Sequence, residues 1–370
     1  MPNLPLFKAW NSAKVLTTKE VIKRYENGFS GCGLDLREAA RLKDKLHSSV
    51  KYAYGSDVCT ALGYADSAKG ELVIPFVYVL EQYPKAWPGP GQERGDCVSH
   101  GGKNANLGSM VLESVLGLPD PVSGKVEECP SVSAAGEKNG VLSTEALYWH
   151  RGSNSDGWYC AAVADVSRTE AGAVLRQNYP DAGIDLTEYS GGLAGKYGRT
   201  APSGIVSDVL DDHLFREATE VDSPEAARDL LSRGFFINTC GSEGLGKKRD
   251  ENGVSRRSGS WAHSMAEIAF DDRPWAHQKY GGPLELILNS WSVWNSGPRD
   301  IFDSAQYVPS EKKQDWITKD IVNPDTGNIM IPRGSCWVPC KDLTRRDRYA
   351  MGGCNGWERK SLTDMLGGWT

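Results

Sequence analysis

The sequence predicts an α+β protein in which helices come first and strands later. Three observations carry this. Apolar residues at helical spacing, introduced by capping residues, recur up to about residue 232. Short apolar runs of strand character (235–239, 264–270, 284–289 and 336–338) all fall from residue 235 onward. The 41 glycines and 19 prolines exclude a helical bundle, and 12 tryptophans supply large anchors for a loop-rich fold. Such segregation predicts a helical half beside a sheet or barrel half.

In chain order, residues 17–48 read as two helices joined by a turn at Gly28, Gly31 and Gly33, with Thr17 and Glu20 forming a capping box. The apolar run 72–80 contains Pro75, which predicts an edge strand or a buried extended segment. Residues 84–91 form a stiff Pro/Gly linker and mark a module boundary. The expected domains are therefore a helical extension, 1–84, and a larger unit, 85–370. The latter divides into a helical lobe, about 97–232, and a sheet lobe, about 233–370. A central helix is expected over 97–117, loop over 118–141, and a capped short helix over Ser143–His150. Arg168–Gln177 reads as helix and 181–203 as loop. Ser223–Ser232 has a cap and a proline at the first helical position, and Gly234 stops it.

A net charge of −6 argues against a general nucleic-acid binder. No apolar run is long enough to span a membrane. The first residues lack the layout of a secretory signal, so a cytoplasmic or virion-associated protein with no membrane partner is expected. Nine cysteines are an odd number without pairwise spacing, and mostly free thiols are expected. Cys336, Cys340 and Cys354 lack CxxC pairs and a fourth ligand, so no metal or other cofactor is expected.

The candidate chemistry begins at Gln92-Glu-Arg-Gly95-Asp96-Cys97. A cysteine at the first turn of a helix meets the positive end of the helix dipole, which favours its thiolate. Its own N–H and a nearby amide such as Gln92 are placed to stabilise an oxyanion. The second stretch, Trp261-Ala-His263, puts a histidine at the mouth of a strand. The third, Asn289-Ser-Trp291, ends an apolar strand in an asparagine that must find partners for its amide when buried. A ring nitrogen of His263 is one such partner, and Trp291 and Trp294 would exclude water around it.

Taken together and in order, these segments resemble the signature of papain-like cysteine peptidases. His263 and Asn289 lie 166 residues (97 to 263) and 192 residues (97 to 289) beyond Cys97, against about 130–150 in that family. An inserted loop at 150–203 is consistent with the difference, and a second long insertion is expected at 299–334. The resemblance covers about Trp87 to the end. It implies a two-lobe fold with the cleft between a helical lobe and a β-barrel-like lobe. It also implies Cys97 as nucleophile, His263 as general base and acid, Asn289 as orienter, Gln92 as oxyanion donor and Trp291 as shield of the His–Asn bond. Residues 1–84 would then be a pro-segment, to which Glu20, Arg24 and Phe29 bear some similarity, or a docking module.

Departures from that pattern are the shortened Gln-to-Cys spacing, Asp96 beside the cysteine, Val98 for the usual tryptophan and Ser292 for the usual glycine. They are more similar to divergent bacterial and bacteriophage members. His100 is read as a polar helix residue. Gly241–Lys248 matches GxxxxGK but lacks the Ser or Thr that binds magnesium, and reads as a surface loop overhanging the cleft. Gly191–Gly198 is too loose for a nucleotide fingerprint. The expected function is hydrolysis of protein or peptide substrates through an acyl-enzyme on Cys97. The alternatives are an assembly component that contacts other structural proteins of a particle, and a peptidoglycan-cleaving Cys/His hydrolase.

Overall fold

The computed structural model describes residues 53–115, 117, 126, 128–132, 136–153, 155–197, 214–215, 217–291, 300–302, 331–332, 334–344 and 346–352. The helices expected over 17–48, Glu20, Arg24, Phe29, Cys32, Ser292 and Cys354 lie outside them.

The chain enters through β1 (Ala53–Tyr54), α1 (Gly55–Ala61) and β2 (Leu72–Val73). The expected strand over 72–80 stops there. Pro75 is instead the N-cap of α2 (Phe76–Gln82), with φ −64° and ψ −19°. Its ring pre-sets helical φ, and its missing N–H costs nothing in a first turn. A proline that reads as a strand breaker thus starts a helix whose Phe76 to Leu80 are all buried.

The spine is α3 (Cys97–Val115), buried at every residue from Cys97 to Glu113. Complete burial asks that neighbours approach on all sides, and glycine allows it. A Cβ at Gly108 would stand 2.1 Å from the Phe236 ring, and one at Gly101 would stand 2.5 Å from Asn238 Oδ1 and 2.7 Å from Ser264 Oγ. Around α3 lie α4 (Gly136–Asn139) and α5 (Thr144–Tyr148), the latter capped by the Ser143 side chain on Ala146 N–H. Next comes α6 (Cys160–Thr169). The helix expected over 168–177 is displaced: α6 ends at Thr169, and the following segment runs extended to a bridge between Leu175 and Leu142. Arg176 then pairs with buried Glu145 at 2.9 Å. The small apolar residues there are buried by an extended chain, a pattern that periodicity reads as helix.

A short hairpin, β3 (Asn178–Tyr179) and β4 (Ile184–Asp185), precedes α7 (Gly191–Lys196). Residues 191–196 were expected as loop. Ser190 caps them by accepting from Leu193 N–H, which suffices for a short helix. The chain continues through β5 (Glu217–Glu220) and α8 (Pro224–Ser232), where Ser223 caps and proline opens the helix as expected.

The sheet is completed by β6 (Ile237–Leu245), β7 (Arg257–Asp271), then, after α9 (Pro274–Tyr280), by β8 (Leu284–Leu288). Last come β9 (Asp300–Phe302), β10 (Ile331–Pro332), β11 (Ser335–Pro339) and β12 (Arg346–Gly352). The strand order is β1-β5-β12-β6-β7-β8-β11, with β2 paired to β7 and a separate β9/β10 pair. Pairing is antiparallel except at β1/β5 and β9/β10. Among the described residues the path is open, so the expected sheet or barrel-like lobe takes the form of an open, mostly antiparallel sheet.

The run 241–248, expected as an overhanging loop, belongs to β6 as far as Leu245 and pairs with β7. One of its glycines serves close contact: a Cβ on Gly244 would meet the Ser258 carbonyl at 2.2 Å.

Among the described cysteines, 59, 97, 129, 336 and 340 are outside any disulfide, but Cys160 and Cys240 form one. It ties α6 to β6 across 80 residues of sequence, a separation at which spacing gives no hint of pairing. One large core fills the helix–sheet junction. A second, smaller cluster of Leu245, Met265, Ile287, Trp291, Cys336 and Val338 lies on the other side of the sheet. Among the described residues no helix is long and apolar enough to cross a membrane.

Candidate active site

The approach to Cys97 is held rigid from several directions. Arg94 donates to Asp156 Oδ1 (2.8 Å) and to the Gly191 carbonyl (2.8 Å). Tyr148 OH donates to the Gly95 carbonyl (2.9 Å), and Tyr189 OH donates to Asp96 Oδ2 (2.9 Å) while accepting from Glu93 N–H. Asp96, read as a charge beside the cysteine, thus turns its carboxylate to Tyr189 and to His100, whose Nε2 lies 3.6 Å away. His100 is accordingly no ordinary polar helix residue. It is buried, with its ring edge-on to Tyr189 at 5.1 Å. Burial pushes its pKa down, Asp96 opposing.

Cys97 is the first of the 19 residues of α3. Residues four apart share a helix face, so Cys97 lies on the face that carries Gly101, which rests against Ser264 and Met265 of β7. His263 immediately precedes them. Sequence-distant motifs are thereby brought to one helix–sheet contact.

The His263–Asn289 pair expected from sequence is present, with Nε2 and Oδ1 2.9 Å apart. Its polarity can be assigned. Trp291 N–H donates to the same Asn289 Oδ1 (3.1 Å), which identifies that atom as the amide oxygen. His263 Nε2 must then donate, and in a neutral ring Nδ1 carries the basic lone pair. The Trp291 ring stacks on the imidazole at 4.3 Å and 26°, and Trp261 meets Trp291 edge-on at 4.9 Å. This is the aromatic cover expected of Trp291, with Trp261 added. His263 has no exposed surface. Burial above all holds its pKa down at about 3; the Asn289 hydrogen bond opposes, and the charges of Arg346 and His100 add to the depression.

Gln92 is buried beside these motifs. Its Nε2 donates to the Arg94 carbonyl (2.8 Å), its oxygen accepts from the Ser290 hydroxyl, and its N–H donates to the Ser290 carbonyl (2.9 Å). Gln92 therefore stitches the cysteine segment to the asparagine segment, a role sequence reasoning missed. Behind the site, Ser264 Oγ donates to Asn238 Oδ1 (2.9 Å) and lies 3.7 Å from Cys160 Sγ. Among the described residues no three His, Cys, Asp or Glu side chains gather to hold a metal ion. Cys336 sits in the small apolar cluster, and burial raises the Cys340 pKa, with Glu285 adding to it.

No protein-family model matches the chain, and no curated protein does. It is similar to solved structures of cysteine proteases. Xylellain from Xylella fastidiosa aligns with a TM-score of 0.41 at 12% identity, covering 72% of this chain and 84% of that one. The cysteine protease and lectin-like domains of Cwp84, a surface layer associated protein of Clostridium difficile, align at 0.39 and 12%, covering 96% and 63%. ProCathepsin B from Trypanosoma congolense aligns at 0.35 and 9%, covering 76% of each chain. At such identity the functional reading has to come from this chain's own residues.

Proposed function

We propose that the chain is a papain-like cysteine peptidase acting on protein or peptide substrates. The observation that carries the reading is the assigned polarity of the His263–Asn289 hydrogen bond, which makes Nδ1 the basic nitrogen of a fixed imidazole. In the proposed reaction Nδ1 takes the Cys97 thiol proton while Sγ attacks the substrate carbonyl carbon. The displaced carbonyl electron pair moves to oxygen, facing the Cys97 N–H and the second amide hydrogen of Gln92. Collapse breaks the C–N bond as the imidazolium passes its proton to the leaving amine. A water deprotonated by Nδ1 then attacks the thioester and returns the thiol.

The test is labelling of the full chain by an epoxide or fluoromethyl ketone thiol probe. Selective labelling at Cys97 that is lost in His263→Ala is expected, with a loss of about 100-fold or more. Labelling no faster than at the other thiols would sink the peptidase reading. A second reading, an assembly component with little activity, is favoured by one observation: Cys97 and His263 are wholly buried. Equal reactivity of all thiols is the outcome it expects.

A further inference from the structure

His263 shares its side of the sheet with charges that the reaction above does not use. The registers Arg346↔Gly241 and Gly241↔His263 set these three residues in one line across β12, β6 and β7. Directly opposed residues of antiparallel strands point to the same side. Arg346 and His263 therefore flank Gly241, and the missing side chain there is filled. A Cβ on Gly241 would lie 2.7 Å from Arg346 Cγ, 3.1 Å from its Nε and 2.8 Å from Glu243 Oε2. Glu243 holds the guanidinium in this position, with Oε2 3.7 Å from Nε and its carbonyl 3.4 Å from Nη2. Both side chains are buried, Arg346 at 1% and Glu243 at 0% exposure. A buried cation is weakly screened, so it acts on its neighbours over several ångströms.

We propose that Arg346, laid across Gly241 and held by Glu243, is a positioning residue that opposes a positive charge on His263 and so sets when this imidazole holds a proton. This rests on the peptidase reading for its use, not for its geometry. The titratable groups around His263 come from four elements: His100 and Asp96 at the head of α3, Glu243 on β6, Arg346 on β12, and Glu267 further along β7. His100 adds to the effect of Arg346, the Asp96 and Glu243 carboxylates oppose it, and Glu267, whose pKa burial and Glu285 raise to about 8, stays uncharged up to that range. A neutral resting imidazole keeps Nδ1 available as a base until substrate arrives.

The test follows the His263 ring by carbon-13 NMR in the full chain carrying Cys97→Ala, so that no thiol reactivity is needed. His263→Gln identifies the signal. In Arg346→Gln the titration midpoint is expected to rise by on the order of one pH unit, while Arg346→Lys stays near the parent. Arg346→Gln leaves Glu243 without its cation and is at risk of not folding. The double variant Arg346→Met with Glu243→Gln strands no charge and is expected to raise the midpoint by a smaller amount. A midpoint equal to the parent in whichever of these folds, or a rise in Arg346→Lys as large as in Arg346→Gln, overturns the proposal. Absence of Cys97 labelling in the natural chain would overturn the peptidase reading alone, leaving the midpoint result standing.

Discussion

The two sides of the central strands β6 and β7 are built on opposite principles. The side turned to α3 presents small, neutral residues, including Asn238, Cys240, Ser264 and Ala266, against Gly101 and Gly108 of the helix and the Phe236 ring beside them. Close packing and a disulfide hold it. The far side mixes an apolar cluster with a buried charge network. There Arg348 pairs with Glu285 at 2.9 Å and lies 3.8 Å from Glu267, next to the Arg346–Glu243 pair. Cys97 opens the helix packed against the first side, and His263, next to Ser264 of that contact, also meets the charges of the second. The difference teaches where each half of the candidate chemistry gets its properties: the thiol from its place at the head of a close-packed helix, the imidazole from its burial first and then from the charges around it.

If that contrast is right, damage to the first side should appear as lost stability. Replacing both Cys160 and Cys240 by serine removes a constraint on an 80-residue separation and should lower unfolding free energy by about 2–4 kcal/mol. Urea unfolding of the variant against the oxidised parent measures it; a difference near zero would mean that packing alone holds α6 to β6. Gly108→Ala should cost about 1–3 kcal/mol, because the added Cβ would stand 2.1 Å from a fully buried Phe236 ring. A stabilised variant, the usual result of glycine-to-alanine in a helix, would show that the contact relaxes freely.

Damage to the second side should appear in the pH dependence. Glu267 has its pKa raised from 4.5 to about 8, first by burial and then by Glu285. A carboxyl that stays protonated in the fold contributes stability fully below the unfolded pKa, and that contribution is lost as pH rises from about 4.5 to about 8. His263 has the opposite sense. Its pKa is depressed from 6.5 to about 3, so its contribution is present above 6.5 and lost as pH falls toward 3. Glu267→Gln should flatten the alkaline side of the stability curve, by about 1–2 kcal/mol between pH 5 and pH 8. Thermal melts across that range check it, and an unchanged slope would remove Glu267 from the account.

The legible parts of this molecule were those where a local rule suffices. Ser143 and Ser223 cap their helices because a serine before an apolar run has one good use. Cys97 opens its helix, and Asn289 finds His263 because a buried amide beside two tryptophans needs a partner. What escaped notice depends on partners far away in the chain. Gly241 and Gly244 look like turn residues until Arg346 and the backbone at Ser258 arrive beside them. Pro75 looks like a strand breaker until the chain turns into a helix at that point. The Tyr189–Asp96–His100 group joins residues 93 apart, and nothing local marks Tyr189. Whether the sheet half would close on itself was not legible, since strand count and closure are properties of the assembled sheet.

The bridge between Cys160 and Cys240 also bears on how a protein like this has to be handled. Both sulfurs sit behind His263, exposed by 1% and 2%. A reductant can reach them only when α6 and β6 part. Cys97, in contrast, must remain a thiol to react at all. One reagent therefore acts on the two in opposite directions, preserving the Cys97 thiol at low concentration and dissolving the clamp behind His263 at high concentration. Reactivity plotted against reductant should pass through a maximum. The time course of its falling side would report how often the junction between helix and sheet opens.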